Sequence, residues 1–114
     1  MSLRTITEFM RLCQNLGSDQ SITVNVEGRG ATVEEAAAWV DYVNGPATSK
    51  YGAMRAANGH PDPFHVKYWE IGNENWGDWV RGHSDAEAYA RDYNRYAFRR
   101  HFANSRTSEF EVEA

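Results

Sequence analysis

The stretch HVKYWEIGNENWGDW, residues 65–79, decides how this chain is read. Its first half has the composition of a buried strand, because Val66, Tyr68, Trp69 and Ile71 are residue types enriched on pleated surfaces. Yet it carries Glu70 and runs out into the polar cluster Asn73, Glu74, Asn75. Over VKYWEIGNE, residues 66–74, Trp69 and Ile71 alternate with Tyr68 and Glu70, so the period of two predicts a strand with one apolar and one polar face. SITVNVEG, residues 21–28, repeats the arrangement, with Ile22, Val24 and Val26 set against Thr23, Asn25 and Glu27, which predicts a strand over 21–27.

Around these strands lie three helix starts of one kind, a hydroxyl residue with Glu three positions on: Thr5 with Glu8, Thr32 with Glu35, Ser84 with Glu87. Such pairs satisfy orphan N–H groups reciprocally. They predict helices over 5–16, 32–44 and 84–102. The first buries Phe9, Leu12, Cys13 and Leu16 on one stripe and stops at Gly17, suited to a left-handed cap. The second turns Val40 and Val43 inward and ends at Asn44, Gly45 and Pro46. The third carries Tyr89, Tyr93 and Tyr96 as neighbours. Residues 45–64 hold all the prolines and read as a long irregular loop, and FEVEA near the C-terminus reads as a short strand or a frayed tail.

Strands alternating with helices predict an α/β fold with parallel pairing. Parallel strands flanked by helices are normally apolar on both faces, and these are not. The interior of an eight-stranded α/β barrel reconciles the pattern, since its active sites draw side chains from C-terminal strand ends. Asn73 and Glu74 sit at one such end, Asn25 and Glu27 at the other, and Glu70 shares strand parity with Glu74.

Composition narrows the function classes. The chain has 114 residues, 41% of them apolar, enough for the core of one domain. A net charge of −4 arises from interspersed acidic and basic residues, without a Lys/Arg block for nucleic acid or an anionic membrane. The lone Cys13 forms no internal disulfide and reads as a small buried hydrophobe. No stretch approaches the roughly 20 apolar residues of a membrane span, and a cytoplasmic location is expected. His60, His65, His83 and His101 show no ligand spacing, so no metal is expected, and no cofactor motif appears: Gly28, Arg29 and Gly30 lack the spacing of a phosphate loop.

A carboxyl at a strand end, beside an amide and ringed by Trp69, Trp76 and Trp79, suits a sugar. Indole faces pack on the apolar side of the ring while amides and carboxylates bind hydroxyls, and paired carboxyls perform glycoside hydrolysis. For Trp69 packing beneath the helices is the simpler role; Trp76 and Trp79 lie beyond the strand. Asn25 and Glu27 could line the pocket or simply end a strand before Gly28, and Glu70 is read as structural.

KYWEIGNENWGDW, the SDAEAYARDYNRY helix after it, and the NGP and AANGHP segments before it resemble the catalytic barrel of α-L-arabinofuranosidases of glycoside hydrolase family 51. The likeness runs from about Glu8 to Phe102. It implies a partial (β/α)8 (TIM) barrel fragment, with two or three parallel strands and three helices, the strands being the third and fourth of eight. It implies that Glu74 is the general acid/base, that Asn73 bonds the sugar 2-hydroxyl, and that the ligand is an arabinofuranoside. The family's nucleophile, a glutamate on the seventh strand, has no counterpart here, so the chain alone is expected to be inactive. Open strand edges lead us to expect a homo-oligomer. The alternatives are a non-enzymatic oligomeric module or weak sugar-binding relic, and a barrel that cuts a different sugar.

Overall fold

A computed structural model describes residues 3–24, 32–79 and 83–104. The elements run α1 (Leu3–Leu16), β1 (Ser21–Val24), α2 (Val33–Asn44), α3 (Lys50–Ala57), β2 (Tyr68–Ile71) and α4 (Ala86–Asn104). The strands pair in parallel, Ser21 opposite Tyr68 through Val24 opposite Ile71. The architecture is thus mixed α/β, with four helices among the described residues where three are read from the sequence.

The added helix lies inside the expected loop 45–64. Ser49 caps it by accepting from Gly52 N at 3.1 Å. What holds it is Arg55, fully buried, whose guanidinium donates to the carbonyls of Tyr42, Gly45, His60 and Pro61. Those carbonyls belong to the end of α2 and the segment leading to β2, so one side chain ties three parts of the chain together. Burial lowers the Arg55 pKa by desolvation, against the opposing pull of Tyr42, Asp41 and Asp62. Asn44 completes the junction: its side-chain amide donates to Val66 O at 2.9 Å and accepts from Val66 N at 2.7 Å, aligning the entry to β2.

α1 differs from expectation in two ways. It starts at Leu3, so Thr5 lies within the helix instead of capping it. Its buried stripe is Ile6, Met10 and Cys13 with Thr7, whereas Phe9, Leu12 and Leu16 are 48%, 54% and 70% exposed. The sequence offers two apolar stripes at helical spacing, and the Thr7 hydroxyl, 2.6 Å from the Tyr42 hydroxyl, shows which one meets α2. The end of α1 is as read: Gly17 has φ +66, its N–H reaches Gln14 O, and Ser18 N reaches Cys13 O, a Schellman cap.

α2 begins with the full capping box of Thr32 and Glu35 and packs against both α3 and α4. α4 begins slightly later than read. Asp85, not Ser84, is the cap, its Oδ1 accepting from Ala88 N at 2.7 Å.

The core joins Met10, Val40, Tyr42, Val43, Phe64, Val66, Trp69, Ile71 and Tyr96, with Ile22 packed against it. Trp69 is 2% exposed and its indole N–H donates to Val66 O at 3.2 Å, which satisfies its one polar atom. The helices therefore cover the Trp69 and Ile71 face of the sheet, while Tyr68 and Glu70 stand on an open face. Among the described residues no third strand joins β1 and β2, and no helix is long and apolar enough to cross a membrane.

Candidate functional site at the end of the second strand

β2 ends at Ile71, three residues earlier than the alternation suggests, so strand parity does not carry from Glu70 on to Glu74. The chain enters a turn in which Gly72 has φ +83 and Glu74 φ +50. Gly72 is required there on two counts. Its backbone is left-handed, and a Cβ would lie 2.1 Å from Asn75 Oδ1 and 3.1 Å from Tyr89 Cε2. Glu74 has no such licence, since left-handed backbone is uncommon for residues other than glycine. It is held by its surroundings: Gly77 N donates to Glu74 O and Ser84 N to Asn75 O, each at 2.9 Å. Backbone strain of this kind persists where neighbours over-determine it, and clusters at functional sites.

A cleft of about 320 Å³ opens here, lined by Glu74, Asn75, Trp76, Asp85 and Tyr89 among others. Glu74 and Asn73 are not buried. Trp76 and Trp79 are 70% and 66% exposed and meet edge to face with centroids 5.0 Å apart. Two large indoles left in solvent and packed edge to face form an exposed aromatic patch, of the kind that marks a binding surface. Tyr89 closes the inner wall, its hydroxyl donating to Ile71 O at 2.6 Å. Burial raises the Tyr89 pKa above 10.0, with Tyr93 adding to the rise.

Glu70 stands on the open sheet face and accepts from Thr23 Oγ1 at 2.6 Å, across the register that pairs the two residues. Asn25 and Glu27, and the glycines at 28 and 30, lie outside the described residues, as does FEVEA. Glu74 and Trp76 thus both line the cleft, whereas Asn73, on the same turn, is exposed and does not line it, and the cleft takes in two residues that the sequence reading does not place there. Asp85 is one, a carboxylate sharing the cleft but engaged as the cap of α4. Tyr89 is the other, visible in the sequence only as part of a tyrosine row. Among the described residues no group of three or more His, Cys, Asp or Glu side chains comes together as a metal site would need.

Comparison with known proteins bears on the family to which this chain belongs. A family model described as the alpha-L-arabinofuranosidase 1 domain matches residues 5–111. Alpha-L-arabinofuranosidase C of Emericella nidulans is 42% identical over 90 residues, 79% of this chain and 18% of that protein. An intracellular exo-alpha-(1->5)-L-arabinofuranosidase of Acetivibrio thermocellus is 35% identical over 86 residues, 75% of this chain and 17% of that one. Among solved structures, the alpha-L-arabinofuranosidase of Thermotoga maritima in its arabinose complex superposes with a TM-score of 0.81 at 34% identity, over 92% of this chain and 21% of that one. The family 51 enzyme of Thermotoga petrophila gives a TM-score of 0.80 at 33% identity, over the same shares of the two chains. The chain therefore spans about a fifth of the length of the relatives it matches. Over nearly its whole length it belongs to the alpha-L-arabinofuranosidase 1 domain family and is related to the arabinofuranosidases of glycoside hydrolase family 51.

Proposed function

We propose that these residues are the part of a retaining (β/α)8 glycoside hydrolase that supplies its general acid/base, Glu74, for cleavage of terminal L-arabinofuranosides. The observation that carries the reading is the placement of Glu74, a carboxylate in strained backbone directly beyond a parallel strand, beside a cleft with an indole wall. Active sites of α/β barrels gather at this end of their strands. The open polar face bearing Thr23 and Glu70 would then be turned to the barrel interior, and the exposed stripe of α1 to a neighbouring helix.

In this reading Glu74 first protonates the leaving glycosidic oxygen while a second carboxylate, about 5 Å away, attacks the anomeric carbon. Glu74 then takes the proton of the water that hydrolyses the glycosyl-enzyme. Asn73 bonds the sugar 2-hydroxyl, and Trp76 supports the ring. The second carboxylate is not assigned to this chain: Asp85, which shares the cleft, is occupied as a helix cap. The 114 residues by themselves are accordingly read as inactive and, with open strand edges, as self-associating in the cytoplasm.

A chimera tests this directly. Residues 5–104 replace the equivalent segment of the Thermotoga maritima enzyme, and Glu74→Ala is then made in that background. The chimera is expected to cleave arabinofuranosides. Glu74→Ala should lower kcat/KM by about 100-fold or more for sugar leaving groups, which need the proton, and far less for a nitrophenyl leaving group, which does not. Equal losses on both substrates, or none, would remove Glu74 as the acid. The unassisted chain should release no nitrophenol above buffer.

A further inference from the structure

We propose that Tyr89 is a positioning residue for Glu74, clamping the carbonyl at which β2 gives way to the turn that carries the carboxylate. The inference takes its catalytic meaning from the acid/base reading above, but its physical content stands apart from it.

Independent contacts converge on the clamp. The Tyr89 hydroxyl donates to Ile71 O at 2.6 Å, at the short side of the usual range for such bonds. The Tyr89 ring sits where it would meet any Cβ on Gly72 at 3.1 Å, so ring and turn are packed without slack. The same residue lines the cleft together with Glu74 and Asn75.

The ring is itself anchored. Asp85 caps α4, accepting from Ala88 N through its side chain and from Tyr89 N through its carbonyl. Tyr93 lies against Tyr89, with centroids 6.1 Å apart, and both pack on the core. Position is thus transmitted from the core through the first turn of α4 to the carbonyl of Ile71, and from there along the turn to Glu74. Nothing in Glu74 itself favours left-handed backbone, so an external restraint on the turn is what its geometry requires. A phenol is well suited to supply that restraint, because it donates firmly yet stays neutral beside a group whose protonation must be free to change. Placement matters because a shift of about 1 Å in a reacting group costs on the order of 100-fold in rate.

The test is solution NMR on the isotope-labelled 114-residue chain, comparing Tyr89→Phe with Tyr93→Phe. Tyr89→Phe removes one hydroxyl and keeps the ring. The expected result is that the three-bond HN–Hα coupling and the Cα and Cβ shifts of Glu74 leave their left-handed values. The Gly77 amide, which donates to Glu74 O, should exchange about tenfold faster. The amides of Val40 and Val43 in α2 should keep their protection, and Tyr93→Phe should leave Glu74 and Gly77 unchanged. Gly72→Ala, with the hydroxyl intact, should displace the Glu74 signals as well. The proposal is overturned if Glu74 and Gly77 are unaltered in Tyr89→Phe, if Tyr93→Phe moves them equally, or if Tyr89→Phe also strips protection from α2, which would make the residue a general prop of the fold. NMR reads the turn whatever Glu74 does chemically, and the chimera assay reads Glu74 whatever holds the turn, so the two ideas fail separately.

Discussion

The two faces of the small sheet are built from the same strands and treated in opposite ways. On one face Trp69 and Ile71 are 2% and 5% exposed beneath the helices, and the indole N–H of Trp69 is paired. On the other, Tyr68 is 38% exposed and the strands are tied by the hydrogen bond from Thr23 to Glu70. Parallel sheets are ordinarily covered on both faces. The open face carries an aromatic ring and an in-register hydroxyl–carboxylate pair, and these are the residues that the proposed function turns to a barrel interior. One face is packed beneath the helices; the other is open.

The largest losses are expected on the covered face. Trp69→Ala should cost about 3–5 kcal/mol, enough to unfold a marginal domain, and Tyr68→Ala, one residue away, less than about 1 kcal/mol, both read from urea midpoints. Equal costs would mean that the faces do not differ. Next in size is Arg55→Met. It fits the volume but leaves the carbonyls of Tyr42, Gly45, His60 and Pro61 without their donor, and we expect a loss of about 3 kcal/mol by the same measurement.

Arg55 also shows where the sequence ceases to be legible. Both strands, the α2 capping box and the Gly17 cap can be read locally, because alternation, Thr32 with Glu35, and a glycine after an apolar stripe each act over a few residues. Glu74, Asn73 and Trp76 stand out because amides and a carboxylate interrupt an apolar run. α3 is not legible. Between Pro46 and Pro61, with Gly52 inside it, the segment has weak intrinsic helicity, and its stability comes from Arg55 contacts to residues on either side. The register of α1 fails for a related reason: two apolar stripes compete, and the choice rests on the Thr7 to Tyr42 contact, 35 residues apart. Tyr89 reads only as one of a row of tyrosines, since nothing local announces that its hydroxyl ends on Ile71.

A smaller effect is expected at the border between the two faces. Tyr89 ionises above its ordinary 10.0 because burial disfavours the phenolate. The unfolded chain therefore loses this proton first as pH rises. The contribution is complete below pH 10 and declines from there through the higher folded value. Wild type should lose stability in that window faster than Tyr89→Phe, measured as the difference between their urea midpoints at pH 8 and above pH 10. Parallel curves would mean that Tyr89 is wetter than its packing against the core implies.

The smallest expected effect belongs to the open face. Thr23 and Glu70 are both exposed in the chain as it stands, so their 2.6 Å hydrogen bond competes with water on equal terms. A double-mutant cycle of Thr23→Val and Glu70→Gln should give a coupling below about 1 kcal/mol. The same pair enclosed in a closed barrel would lose its water and couple more strongly, because an unpaired carboxylate there has nowhere else to turn. A coupling above about 2 kcal/mol in the 114-residue chain would show that something already covers this face, such as a second copy laid against it, and sedimentation of the same samples would decide whether that cover is self-association.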